Sequence, residues 1–246
     1  MKTATMLLTG LVGLGLLAAD ATAKVTLKET PLAKVPESAK RRPPAASPDS
    51  NHIAFIADQN GKMLVLRDGA EGPLHDWILP MSLRFSPDSK HLTYATQSGN
   101  QMTVMLDGKE AATYRQVATV GAVFSPDSQR LAVVVSPEDD VWSLVVDGQQ
   151  GRAYKLVSLP HFSPDSKRIG YAAQIDKNRW VYVIDGKETK VYLSIVPGNP
   201  VFSPDSQRVA YAAKIADPNA APSPTALPGL DPPPPPAKAF VVVDGK

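Results

Sequence analysis

The 246-residue chain contains no cysteine. It makes no disulfides, and an exported form of about 220 residues needs none, because a core of that size is stable without staples. No Gly-x-Ser-x-Gly phrase is present, so no α/β-hydrolase nucleophile elbow is encoded. No phosphate-binding Gly-Lys-Ser/Thr loop and no zinc motif occur either. Histidine is scarce: His52, His75, His91 and His161 are the four. Long apolar runs are missing except at the N-terminus. There Met6 to Ala19 follows Lys2 and precedes Ala21-Thr22-Ala23, a small-residue cleavage site. Residues 1–23 therefore read as a signal peptide, with cleavage before Lys24. The run is too short to be a spanning helix, so no transmembrane span is expected after cleavage. No cysteine follows the site, which argues against a lipid anchor.

Against these absences stands one phrase repeated five times. Ser-Pro-Asp-Ser begins at Ser47, Ser86, Ser125, Ser163 and Ser203, at spacings of 39, 39, 38 and 40 residues. Phe precedes four copies, as Phe85, Phe124, Phe162 and Phe202, and Ala46 precedes the first. Asp-Gly runs in phase, at Asp68, Asp107, Asp147, Asp185 and Asp244. Asp-Gly after an apolar run signals a tight hairpin, because both turn positions need positive φ. A period near 40 that carries strand-like runs is the signature of a β-propeller. The fold class is accordingly all-β: a propeller of four-stranded antiparallel blades with five repeats visible over residues 44–246.

The third repeat shows the expected blade. Ala122 to Phe124 is a first strand, Leu131 to Val135 a second, Trp142 to Val146 a third, and Ala153 to Val157 a fourth. Runs such as Val181-Tyr182-Val183-Ile184 are apolar throughout, as suits a sheet covered on both faces. The four Phe rings before the turns are expected to be buried between blades.

Phe-Ser-Pro-Asp-Ser, followed by a basic residue and Ile/Val/Leu-Ala/Gly-Tyr, resembles the WD40-like repeat of TolB-type propellers. Phe stands where Trp is frequent in that family, and Ser where Gly often ends the turn. The resemblance implies a scaffold of six to eight blades, found in periplasmic protein-binding propellers, in propeller domains of serine peptidases and in some polysaccharide lyases. By that count the chain reads as a propeller truncated after Lys246.

Residues 24–43 form a basic arm or a closing strand. Lys24, Lys28, Lys34, Lys40, Arg41 and Arg42 outnumber Glu29 and Glu37, although the whole chain carries only +2. Such an arm is either a solvated linker or a contact for an acidic partner or anionic lipid. Residues 216–238 are a Pro-rich insertion between the second and third strands of the fifth blade. Pro cannot donate to a ladder, so the insertion reads as an extended loop or a docking peptide.

His52 and His91 occupy the position that Arg130, Arg168 and Arg208 fill in the other repeats. A site that accepts either residue is a structural basic site, and no metal or cofactor is expected. These five basic residues are expected to pair with the turn carboxylates Asp49, Asp88, Asp127, Asp165 and Asp205, which also cap the turns. The loops between second and third strands lie on the opposite face and differ from repeat to repeat. Recognition of an asymmetric partner needs an asymmetric surface. The candidate partner-binding residues are therefore Asp139, Asp140, Trp142, Asp176, Lys177, Arg179 and Trp180, with the two Trp as possible anchors. The function read from the sequence is an exported, non-enzymatic scaffold, periplasmic or extracellular. It would bind a protein or cell-envelope component and no nucleic acid. The alternatives are the propeller of a peptidase or lyase-like enzyme whose catalytic part lies elsewhere, and a structural repeat module of a larger surface protein.

Overall fold

The computed structural model describes residues 37–39, 42–196, 199–216 and 237–246. Residues 1–23, which the sequence suggests are a signal peptide, most of the basic arm and the interior of the Pro-rich insertion lie outside the described residues. Glu37–Ala39 and Pro80–Ser82 form short 3-10 turns, and everything else regular in the described chain is β-structure.

Five antiparallel sheets follow one another along the chain as the blades of an open, unclosed propeller. Blade 1 comprises Ala45–Ala46, Ile53–Gln59, Lys62–Arg67 and Ala70–Glu71. Blade 3 comprises Gln116–Phe124, Leu131–Ser136, Trp142–Val146 and Gln149–Tyr154. In blades 2, 4 and 5 the first strand is interrupted and pairs in two pieces. These are Trp77–Ile78 with Arg84–Phe85, Leu156–Val157 with His161–Phe162, and Ser194–Ile195 with Val201–Phe202. Blade 5 continues through Val209–Ala216 and Ala237–Val243, paired from Ala210↔Val243 to Ala216↔Ala237. The strands thus close around the insertion at Ala216 and Ala237, and the outer residues of the 216–238 segment belong to the ladder.

The Asp-Gly hairpins explain the even blade geometry. At all five, Asp has φ of 50 to 52° and Gly φ of 76 to 85°. Positive φ at both positions matches the twist of flanking strands. The turn reverses the chain at once, so the fourth strand of blade 3 begins at Gln149 rather than at the expected Ala153. Its residues Gln149 to Ala153 are exposed, and Leu156–Val157 already belongs to the next blade. An outer edge strand carries little hydrophobic signal, which is why the apolar run after it misled.

The core lies between blades. Ala132, Val134 and Leu144 of blade 3 pack with Phe162, Ile169, Tyr171, Ala173, Val181 and Val183 of blade 4. Ala172 and Tyr182 of blade 4 pack with Tyr192, Tyr211, Ala213 and Val242 of blade 5. Successive residues of one strand therefore serve successive interfaces, and no blade buries both faces alone. Burial pushes Tyr171 and Tyr182 up to about 12, so both stay neutral hydrogen-bonding groups. The Tyr182 hydroxyl donates to the Ala212 carbonyl in the next blade at 3.0 Å.

Close approach fixes one glycine. Gly121, at φ 70°, lies where a Cβ would come within 2.8 Å of the Ser82 Cβ in blade 2. The first blade has its own cover. Ala39 is buried against Phe55 and Ala57, and Arg42 grips Asp58 through two hydrogen bonds of 2.9 and 3.1 Å. This described part of the 24–43 arm lies on the outer flank of blade 1 and adds no strand. Among the described residues no helix is long and apolar enough to cross a membrane.

Candidate functional site

Antiparallel strands place the Ser-Pro-Asp-Ser and Asp-Gly turns at one end of every blade, and the loops between second and third strands at the other. The motif end is a repeated hydrogen-bond lattice. In each copy the first Ser hydroxyl donates to the turn Asp at 2.5 to 2.6 Å. That Ser oxygen accepts the N–H of the basic residue five positions on at 2.9 to 3.0 Å. The turn Asp also accepts the N–H two residues on, at 3.0 to 3.2 Å. These bonds favour the charged form. The Ser hydroxyl foremost holds Asp49, Asp88, Asp127, Asp165 and Asp205 below the usual carboxylate range.

The basic residues do not pair with these carboxylates as the sequence suggested. They pair with the hairpin Asp instead: His52 with Asp68, His91 with Asp107, Arg130 with Asp147, Arg168 with Asp185 and Arg208 with Asp244, at 2.7 to 2.9 Å. The other oxygen of each hairpin Asp accepts the next backbone N–H. The turn Asp already accepts from its own Ser and backbone. The hairpin Asp, projecting from a left-handed residue beside the second strand, is the one the basic side chain can reach.

Two further bonds cross between blades. The last Ser of each turn has φ of 61 to 66°, and in blades 2 to 5 it offers its hydroxyl oxygen to the blade before it. Asp49, Asp88, Asp127 and Asp165 donate their N–H to Ser89, Ser128, Ser166 and Ser206 at 2.9 to 3.1 Å. This explains Ser at a position where Gly would be conformationally easier. Arg130 also donates to the carbonyls of Ser166 and Lys167, and Arg168 to those of Ser206 and Gln207. Their guanidinium groups lie 5.3 and 5.1 Å from the rings of Phe162 and Phe202. In blade 1 His52 reaches only the ring, stacking on Phe85 at 6.3 Å, and Arg67 makes the bond to the Lys90 carbonyl while its guanidinium also lies over Phe85. Of the four rings, Phe162 is buried, while Phe85, Phe124 and Phe202 are half-buried at the rim. The three stay half-buried because they sit at the rim beside the motif turns, and a guanidinium over the ring does not decide it: Phe162 has one and is buried, while Phe124 has none among the described residues and is not.

The opposite end is irregular. Asp139 and Asp140 lie in the blade 3 loop. Asp139 is exposed and paired with Arg115 at 2.7 Å, and Asp140 has φ 58°. Asp176, Lys177 and Arg179 form the blade 4 hairpin, where Arg179 meets Asp176 at 3.2 Å and the Lys177 carbonyl accepts from Gln174. Trp142 and Trp180 hold equivalent positions at the start of the third strands and are half-buried. Trp142 packs against the core between blades 3 and 4, and Trp180 bridges Tyr192 through backbone bonds. Met63 and Met102 sit at the same position in blades 1 and 2, and their sulfurs accept the N–H groups of Ile78 and Val117. The position is thus a packing position with one edge open to this face.

The sequence reading missed the apolar members of this face. Leu74, Trp77, Leu156, Val191 and Ile215 are exposed large hydrophobics, and all lie at this end, beside the variable loops. None of the exposed large hydrophobics among the described residues lies in a motif turn. Their signal was hidden because the first strand was read as three residues. The connection from each fourth strand enters the next blade well before its Phe. Two open clefts of about 450 and 460 Å³ lie on the motif side, between blades 3 and 4 and between blades 4 and 5. They are consecutive copies of one inter-blade groove. Among the described residues no three His, Asp or Glu side chains gather as a metal cluster.

No protein-family profile and no curated protein matches this chain. Solved structures do resemble it. Hydrazine synthase from Kuenenia stuttgartiensis is 14% identical, with 81% of this chain and 61% of that chain covered and a TM-score of 0.42. TolB from Acinetobacter baumannii is 17% identical, with 73% and 50% covered and a TM-score of 0.42. The β-propeller domain of the Trilobed protease from Pyrococcus furiosus is 13% identical, with 69% and 62% covered and a TM-score of 0.44. The chain spans between half and about 62% of the length of these three.

Proposed function

We propose that this chain is an exported, non-enzymatic propeller scaffold that binds a protein or cell-envelope component through its variable loop face. The supporting observation is the distribution of exposed apolar side chains. Leu74, Trp77, Leu156, Val191 and Ile215 share that end with the charged loops around Asp139 and Arg179. Apolar anchors among polar rim residues are the composition of a recognition surface. At the motif end the repeated polar groups bond one another, so their role is structural. Export rests on the signal-peptide reading of residues 1–23, and N-terminal sequencing of secreted protein should begin at Lys24.

The binding test is capture from envelope extract. Trp77→Ala with Leu156→Ala, and Asp139→Lys with Asp176→Lys, should each abolish capture while the proteins stay folded. Motif-face controls change exposed residues only: Lys90→Glu, Gln129→Glu and Lys167→Glu. Loss of the partner in the control set alone would place recognition at the motif end instead.

A further inference from the structure

One position recurs at the loop end of the four described seams between blades. The residue that opens each third strand pairs with the residue that ends the fourth: Met63 with His75, Met102 with Tyr114, Trp142 with Tyr154 and Trp180 with Tyr192. Three of these four partners are Tyr. Tyr154 and Tyr192 each meet a Tyr of the next blade edge-on, Tyr171 at 6.5 Å and Tyr211 at 6.0 Å between ring centroids. Tyr114 packs instead on the cluster around Val133. At the first seam His75 takes the Tyr place, and it meets Tyr94 of blade 2 in the same edge-on manner at 5.8 Å.

His75 also anchors the crossing from blade 1 to blade 2. Its N–H donates to the Met63 carbonyl at 2.7 Å, and its carbonyl accepts from the Met63 N–H at 2.8 Å. Asp76 follows, held by Lys62 of blade 1 at 3.3 Å and by the Ser98 hydroxyl of blade 2 at 2.6 Å. Trp77 then opens blade 2 opposite Gln97. Leu74 and Trp77, 48% and 44% exposed, flank this anchor. The imidazole is half-buried, and its Nε2 lies 3.4 Å from the hydroxyl of Tyr94. Tyr94 is 2% exposed, and among the described residues its hydroxyl bonds nothing else. Burial pushes Tyr94 up to about 12, so the hydroxyl keeps its proton. It can donate only to an imidazole nitrogen that keeps its lone pair.

From these contacts we infer that His75 is a proton-operated pin for residues 74–77, which holds the crossing in the seam while neutral and, once charged, releases it and withdraws Leu74 and Trp77 from their places on the loop face. The consequence for recognition rests on the loop-face reading above, whereas the pin itself does not. Glu110 of blade 2 and the adjoining Asp76 attract the charged ring, and Lys62 repels it. Burial outweighs the two carboxylates and holds His75 below its ordinary value. An imidazole depressed in the closed seam binds fewer protons there than in the opened segment. Closure is therefore complete above the ordinary value of about 6.5 and weakens as pH falls below it. At the other three seams burial pushes Tyr114, Tyr154 and Tyr192 upward, away from that range. The device belongs to the first seam alone among the four.

Backbone hydrogen exchange of the full chain reads the pin directly. Protection at the Met63 and His75 amides, corrected for intrinsic rates, should fall about fivefold or more between pH 7.5 and pH 5.5. Two variants remove the titrating group. His75→Tyr installs the residue of the other seams, and His75→Gln can still accept from Tyr94. Each should keep protection constant over the same range. His52, His91 and His161 remain in both variants, so their titration cannot supply the difference. Unchanged protection in the wild type, or the same fall in both variants, would overturn the role of His75. Capture from envelope extract tests the consequence. Wild type should lose its partner at pH 5.5, and both variants should keep it. Undiminished capture by the wild type at pH 5.5 would overturn the gating. If no version captures a partner at either pH, the loop-face reading fails, and the exchange result alone decides the pin.

Discussion

The two ends of the blades are built from the same strands and have opposite character. At the motif end each Ser, Asp and Arg or His repeats at a fixed place, and its hydrogen bonds are answered within the turn or by the neighbouring blade. At the loop end no two connections agree, ion pairs are local, and apolar side chains reach solvent. Repetition is what an interface between identical repeats demands, because each blade must meet the next in the same way. Variation is what a surface free of that demand can carry. One end therefore holds the propeller together, and the other is the surface to which our proposal assigns recognition.

The comparison breaks first, and with the largest effect, at the rim rings. Phe162 is buried against Tyr171 and Val181, so Phe162→Ala should cost about 3–5 kcal/mol in urea melts. Phe124 is half-buried, with no guanidinium over its ring among the described residues. Phe124→Ala should cost about 2 kcal/mol. Equal losses at the two positions would mean that the cation and the next blade contribute nothing to ring burial.

The Ser latches sharpen the comparison. Ser128→Ala leaves the Asp88 N–H without its acceptor at a buried seam and should cost about 1–3 kcal/mol. Ser50 has the same conformation but no blade before it, and it is exposed. Ser50→Ala should stay within about 0.5 kcal/mol. If both are silent, the hydroxyl serves only its own turn.

Acid should loosen the motif end as a group. The turn Asp carboxyls are held below the unfolded value of about 3.9 by their Ser hydroxyls. A depressed folded value means that the unfolded chain binds more protons. Stability from these groups is therefore complete above about pH 4 and is lost as pH falls through the folded values. Thermal melts from pH 6 to pH 2 should show the midpoint fall only at the acid end. An unchanged midpoint down to pH 2 would show that the five turns contribute nothing through their charge.

Much of this was legible in the sequence. The period and turn chemistry located every blade, and the Asp-Gly hairpins set the third strands. Fourth strands were misplaced because Gln149 to Ala153 forms a solvent-facing edge without an apolar pattern. The Arg–Asp pairing was misassigned because each repeat holds two Asp residues of equal apparent suitability. Only the left-handed geometry of the hairpin Asp separates them. At the loop end the charged residues were visible as irregularities, while Trp77 and Leu156 were not. Their exposure depends on where an interrupted first strand enters the next blade, which local pattern does not encode.

The smallest predicted effect lies where the repeat itself departs from its rule. Blade 2 carries His91 at the basic position, and Leu106 stands where Arg67 makes the crossing for blade 1. The seam between blades 2 and 3 is the one latched at its rim by Ser128 alone, with Arg84 donating to the Val120 carbonyl farther in. An Arg at position 91 would keep Asp107 as its partner. It would reach the turn carbonyls of Ser128 and Gln129 and cover the open face of Phe124, as Arg130 does for Phe162. The group is partly exposed, so His91→Arg should gain no more than about 1 kcal/mol. The gain should vanish in the double variant with Phe124→Ala, because the ring is half of what the guanidinium meets. A gain that survives loss of the ring would show that the added charge acts through Asp107 alone, and that the crossing contact is incidental to the seam.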